Sequence, residues 1–291
     1  MSAAVSQVVW TDEYRAQRRR TLGASEIAAV VGVNPYASMH NVWLSKCRGV
    51  EFEGNEATEL GHELEPVILG IYCKRYGCEV RPGTYTTGPE HWMSATPDAV
   101  RLGGGLAEAK LVGVRTYWQW GACDTDEGES DAVPLHYLAQ AQWQMLVTGE
   151  PFVHVIALVG TEFRKYTVRG NEGVQRSLVA KGRDFWERYV LTDTPPPVDA
   201  SKGAGEMLRE IYPRSGGERV IADDALEAMA AELVAARASD RAAKAARALA
   251  ENRMKATLKE AGGARGKNWT LRYSTTKAGT RPFIFDSDEE E

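Results

Sequence analysis

The stretch SATPDAVRLGGGLAEAK, Ser94 to Lys110, holds the residues best suited to chemistry: Asp98 behind a proline, three glycines, then Glu108 and Lys110. If AVRL and LAEAK are strands, the glycines at 103–105 turn one into the other. Glu108 and Lys110, two apart on the second strand, then project from one face. The same hairpin brings Asp98 close to Glu108. Two close carboxylates repel unless a cation neutralises them, and hard oxygen ligands suit Mg²⁺ or Mn²⁺. Such a site fits phosphodiester hydrolysis. A metal lowers the pKa of the attacking water and stabilises the leaving oxygen, while Lys110 orients the water or steadies negative charge. Taken alone, the D-x₉-E-x-K spacing is loose, and a charged surface hairpin is the simpler account.

Three other features bear on the same chemistry. Glu65 precedes Pro66 in GHELEP and is a candidate further acid ligand, or else a plain exposed helix glutamate. Arg18, in the basic run from Arg15 to Arg20, and Ser25 flank the start of a helix, where free N–H groups bind phosphate well. Otherwise Ser25 is a cap and the basic run a solvated face. Gln140 and Gln144 share a helix face at i, i+4, which a satisfied surface pair also explains.

The elements that must position these residues follow from period and punctuation. A short helix is expected from Leu22 to Gly32 with Ser25 as candidate N-cap, and another in SMHNVWLSKCRG. NEATELGHELEPVILGIYCKRYG is helical by period, but Pro66 should start a new helix or kink this one, with Glu65 at the break. Strands are expected between Glu79 and Leu111. Pro134 opens a strong helix closed by Gly149, FVHVIALVG and EFRKYTVRG form a strand pair, and a long helix runs from about Gly173 to Leu191. The organisation reads as a first domain over 1–198 ending at TPPPVD, a loop-rich linker over 199–222, an Ala-rich helical segment over 223–262 with a break near Ser239 and Asp240, and strand-like pieces with an acidic disordered tail over 263–291.

The bulk numbers fit a soluble globular chain: 291 residues, 43% hydrophobic and 26% charged. There is no run long enough for a membrane span and no signal-peptide order at the N-terminus, so the expected place is the cytoplasm. The net charge of -5 rules out a uniformly basic nucleic-acid binder but leaves room for a local basic patch. The four cysteines form no CxxC and the five histidines no HExxH, which argues against zinc and against a disulfide framework.

In order along the chain, RRRTLGASEIAAVVGVNPY, WLSKCRG, GHELEP, SATPDAV, AEAK and HYLAQAQWQMLVTG resemble the YqaJ-type viral recombinases. Phage lambda exonuclease belongs to that group, within the PD-(D/E)xK nuclease superfamily. The resemblance spans roughly Tyr14 to Trp186. It implies an α/β, restriction-endonuclease-like fold, a central mixed β-sheet flanked by helices, here with a C-terminal helical appendage. It implies Asp98, Glu108 and Glu65 as metal ligands, Lys110 as catalytic lysine and Gln140 as the glutamine beside it. It implies Arg18 and Ser25 at a terminal DNA phosphate, with Arg19 or Arg20 able to replace Arg18. Leu111 and Val112 stand where Cys-Pro is usual, and Ala99 where Gly is common; none of these supplies a ligand. The implied activity is Mg²⁺-dependent 5′-to-3′ digestion of one strand of linear duplex DNA, with two ions, Mn²⁺ being the alternative metal. The product carries a 3′ overhang for recombination with a single-strand annealing protein. Some relatives form homotrimeric rings, and the setting is a phage or prophage protein in a bacterial host. The rivals are another nuclease of the superfamily (RecB-like, Cas4-like, a resolvase or an endonuclease) and a DNA-end-binding adaptor without turnover. A Cas4 type needs a cysteine cluster near the C-terminus, whereas the last cysteine here is Cys123.

Overall fold

The computed structural model describes residues 11–50 and 54–287. The N-terminal residues 1–10 read for a leader, and most of the acidic DSDEEE end, lie outside them. In chain order the elements are α1 (Asp12–Arg19), β1 (Leu22–Gly23), α2 (Ala24–Val30), α3 (Met39–Trp43), α4 (Glu56–Tyr76), β2 (Val80–Pro82), β3 (Thr86–Thr87), β4 (Met93–Ala95), β5 (Ala99–Arg101) and β6 (Leu106–Val112). There follow α5 (Leu135–Thr148), β7 (Phe152–Val159), β8 (Glu162–Arg169), α6 (Glu172–Phe185), α7 (Lys202–Ile211), α8 (Asp224–Leu258), β9 (Gly263–Arg265), β10 (Trp269–Arg272) and β11 (Ile284–Ser287). Wide π turns extend α3 over Leu44–Arg48 and α6 over Trp186–Val190. The chain divides into two compact units, Met1–Arg214 and Ser215–Glu291.

The first unit is built on a five-stranded mixed sheet of order β2-β5-β6-β7-β8. Strands β6 and β7 are parallel and the other neighbours antiparallel. The parallel step needs a long crossover, and α5 provides it. Strand alternation then decides the layers. Leu106 and Val112 of β6 share a core with Ala141 and Met145 of α5. Ala107 and Ala109, pointing the other way, pack with Ile68, Leu69 and Tyr72 of α4. A sheet with a helix on each face results, the expected mixed α/β class. A smaller sheet of order β1-β4-β3 joins α2, α3, α5 and α6 around Trp43, Trp92 and Trp143.

The glycine turn between β5 and β6 forms as the spacing predicts. Gly104 and Gly105 have φ of 89° and 86°, and a Cβ on Gly105 would stand 2.4 Å from the Phe152 ring.

Four expectations change. Gly23, not Ser25, is the N-cap of α2, because the Glu26 side chain reaches back to the Gly23 N–H at 2.7 Å. Helix α4 runs through Pro66 without a new start. Its flanking turns hold it, Asn55 capping one end and left-handed Gly77 closing the other. The region 199–222 contains α7, whose Glu206 accepts a hydrogen bond from Asn41 of α3 at 2.7 Å. In the second unit, α8 is one continuous helix of 35 residues, and Asp240 pairs with Lys244 at 2.7 Å instead of breaking it. That unit also holds the antiparallel sheet β11-β10-β9.

Candidate active site

The β5–β6 pairing runs only from Val100↔Leu106 to Ala99↔Ala107. The next pair in register, Asp98 opposite Glu108, lies where β5 has not yet begun, and the side chains take over. Asp98 Oδ2 accepts the Ala109 N–H at 2.8 Å, and the Asp98 N–H approaches Glu108 Oε2 at 3.4 Å. On the far side Gly83 donates its N–H to the Asp98 carbonyl at 3.1 Å. A Cβ on Gly83 would lie 1.7 Å from the Pro97 oxygen, so the loop before Asp98 is seated directly on glycine backbone.

Glu108 is buried, its side chain 5% exposed, and it faces α5. Lys110 Nζ and Gln140 Nε2 donate to its Oε1 at 2.7 and 2.6 Å, and Gln144 Nε2 donates to its Oε2 at 2.8 Å. Lys110 Nζ also stands 5.0 Å from the centre of the Tyr137 ring. Burial and then Glu108, with a smaller push from Glu65, hold the Asp98 carboxyl well above its usual range, although Lys110 opposes them. Burial and Glu108 likewise raise Glu65. For Lys110, burial alone favours the neutral amine, but Glu108 and Asp98 outweigh it and keep the ammonium form. Lys110 therefore brings hydrogen-bond donors and positive charge to the cluster.

Asp98, Glu108, Lys110 and Gln140 are thus brought together, and Glu65 of α4 lies within their electrostatic reach. Glu65 Oε2 is 3.9 Å from His62 Nδ1. Among the described residues no group of three or more His, Cys, Asp or Glu side chains is arranged to hold a metal ion. Asp98, Glu108 and Glu65 carry oxygen donors of the kind that hard cations take, and burial with the neighbouring charge pushes Asp98 and Glu65 toward protonation.

The second predicted cluster is also assembled. Arg18 donates to Ser25 Oγ at 3.0 Å and lies 3.6 Å from Glu26 Oε1. Lys46, its side chain 1% exposed, donates to both Glu26 oxygens and to the Arg18 carbonyl, each at 2.7 Å. Burial would raise the Glu26 pKa, but Lys46 and then Arg18 bring it below the ordinary value. Arg19 and Arg20 are exposed at the end of α1. The two clusters are tied together: Tyr14, one turn before Arg18 on α1, donates to Thr96 Oγ1 at 2.9 Å, and Thr21 Oγ1 meets Ser94 Oγ at 2.8 Å.

Sequence reasoning missed Glu26 and Lys46, and gave Gln144 only as the helix-face partner of Gln140. Gln140 and Gln144 are no surface pair, since Gln144 is fully buried and both turn onto Glu108. The signal was present in LHYLAQAQWQMLVT, where apolar residues on every side of the helix leave its glutamines inside. For Glu26 the signal was its place three residues after the N-cap.

Residues 13–151 match the model of the YqaJ-like viral recombinase domain. The chain is 24% identical over 229 residues to the uncharacterized protein YqaJ of Bacillus subtilis (strain 168), a match covering 72% of this chain and 66% of that protein, just under two thirds of its length. Among solved structures, an alkaline exonuclease (LHK-Exo) from Laribacter hongkongensis superposes with a TM-score of 0.51 at 21% identity, covering 63% of this chain and 94% of that one. LHK-Exo in complex with dAMP gives a TM-score of 0.52 at 19% identity, covering 69% and 98%. At these identities the two structures establish the fold, a nuclease fold with a mixed sheet between helices. The domain match and the Bacillus relative agree with the motif order along the chain, and the similarity to the YqaJ-like viral recombinase domain lies in residues 13–151.

Proposed function

We propose that this protein is a metal-dependent 5′-to-3′ exonuclease that digests one strand of linear double-stranded DNA and leaves 3′ overhangs. The observation that carries the reading is the meeting of Asp98, Glu108, Lys110 and Gln140 at the point where β5 and β6 part, inside a segment matched to a viral recombinase domain. The fold shared with an alkaline exonuclease supports the reaction class.

Mg²⁺, or Mn²⁺ in its place, held by Asp98, Glu108 and Glu65, would supply an activated water and stabilise the departing 3′ oxygen, with two ions the usual arrangement. The chain's own residues do the rest. Gln140 and Lys110 fix one oxygen of Glu108. The Lys110 ammonium, desolvated beside the Tyr137 ring, is placed to stabilise negative charge developing on a phosphate. Arg18 and Ser25, with Arg19 and Arg20 exposed alongside, take the 5′-terminal phosphate and so set polarity. Contacts of this kind carry no base information, so digestion is nearly indifferent to sequence.

The recombination setting follows from the same reading: a 3′ overhang is the substrate of a single-strand annealing protein in the cytoplasm of a bacterial host. A homotrimeric ring around DNA would give processivity, and the mass in solution with and without DNA tests it. The decisive assay is purified protein, Mg²⁺ and 5′-phosphorylated linear duplex, beside a nicked circle and a four-way junction. Digestion of the linear duplex alone, with 3′ overhangs, is expected. Persistence of full-length duplex rejects an enzyme, and cleavage of the junction or circle points to another nuclease of the superfamily.

A further inference from the structure

Gln144 lies one helical turn beyond Gln140 on α5 and is 0% exposed. Its Nε2 donates to Glu108 Oε2 at 2.8 Å, while Gln140 and Lys110 hold the other oxygen. The only other approach to Oε2 among the described residues is the Asp98 N–H at 3.4 Å. The Gln144 carbonyl oxygen Oε1 is buried and accepts no hydrogen bond from the described residues. A carboxylate only accepts, so Glu108 dictates which way this amide faces, and that orientation leaves Oε1 orphaned. A buried acceptor without a donor is destabilising and calls for an explanation. Its neighbours on α5 include the buried apolar Trp143, Met145 and Val147, while the other buried glutamine of the helix, Gln142, has both ends of its amide hydrogen-bonded.

We propose that Gln144 is a positioning residue of the carboxylate cluster. It pins the second oxygen of Glu108 beside Asp98, and leaves its own Oε1 unsatisfied in doing so. The proposal deepens the nuclease reading and rests on it. The terminal torsion of a glutamate is broad and two-fold, so a carboxylate held at one oxygen only is free to swing. Gln140 and Lys110 secure Oε1; Gln144 removes the remaining freedom and fixes the plane that Glu108 presents to a cation or a water.

The test is Gln144→Met, which keeps length and approximate volume but has no donor. Turnover on linear duplex and Mg²⁺ affinity measured by calorimetry should each fall by about 10–100-fold, the usual effect of losing a group that orients a ligand. KM for DNA should stay unchanged. The melting temperature of the metal-free protein should fall only modestly, because the donor lost to buried Glu108 is partly offset by removal of the unsatisfied Oε1. Wild-type turnover and Mg²⁺ affinity in the variant would overturn the proposal. So would failure of the variant to fold, since the amide would then be serving the fold. If the wild-type protein itself digests no DNA, the nuclease reading fails separately, and calorimetry with melting of the two proteins still decides the role of Gln144.

Discussion

The buried pair that supports Arg18 offers a quantitative test in Lys46→Met. The substitution keeps most of the aliphatic stem and removes the ammonium, which donates to Glu26 and to the Arg18 carbonyl at 2.7 Å. Glu26 would stay buried, its side chain 15% exposed, with the Gly23 N–H at 2.7 Å and Arg18 at 3.6 Å. Breaking a buried ion pair from one side is destabilising by about 3–5 kcal/mol. The remaining partners of Glu26 place this case at the lower end, about 3 kcal/mol. For a folded unit of this size that is a fall of about 6–12 °C in melting temperature. Urea unfolding of wild type, Lys46→Met, Glu26→Gln and the double variant measures both the loss and the coupling. The sign with pH is fixed. Glu26 has a folded pKa below its ordinary 4.5, so its contribution is present above that pH and is lost as pH falls through the folded value. The gap between wild type and Lys46→Met should therefore be wide at pH 7 and should begin to close only below about pH 4.5. A loss under about 1 kcal/mol, the range of exposed pairs, or a coupling near zero would refute the reasoning.

Asp98→Asn should abolish digestion yet raise the melting temperature of metal-free protein near pH 8. The raised folded pKa of Asp98 means that its ionisation above the ordinary 3.8 opposes folding, and the gain should vanish at low pH. Arg18→Ala should chiefly erase the preference for a 5′ phosphate over a 5′ hydroxyl, read from digestion rates on the two ends; equal loss on both would contradict its role. Gly83→Ala should push Pro97 and Asp98 off the glycine backbone, reducing turnover and destabilising the fold by about 1–3 kcal/mol in urea unfolding. Lys110→Ala should stop digestion while DNA binding, followed by mobility shift, is largely kept.

Much of the site was legible because its parts are local. The β5–β6 hairpin announces itself through the glycines at 103–105, and period-two alternation puts Glu108 and Lys110 on one face. The helix Leu135–Thr148 was equally plain, with Pro134 before it and Gly149 after it. What went unread were choices settled by tertiary contact. The inward turn of Gln144 depends on the crossover that lays α5 over β6, and burial of Lys46 depends on the turn after α3 meeting α1 and α2. The cap at Gly23 lost out to Ser25 on paper because serine is the stronger intrinsic cap, while the structure obtains the same end from the side chain of Glu26. The break imagined at Ser239 and Asp240 weighed local turn preference over the ion pairs that carry α8 across it.

The Asp98 side chain also acts as a backbone latch. Strand pairing stops one residue short of it, so the amide of Ala109 finds its acceptor in that carboxyl group. An alanine at this place would therefore be two lesions in one, deleting a reactive acid and unfastening the strand that bears Glu108 and Lys110. Lost activity in such a knockout would overstate the chemistry, whereas the asparagine form keeps an acceptor for that amide. Hydrogen exchange at Ala109 separates the two effects, and the asparagine form is the cleaner inactive protein for trapping a DNA complex.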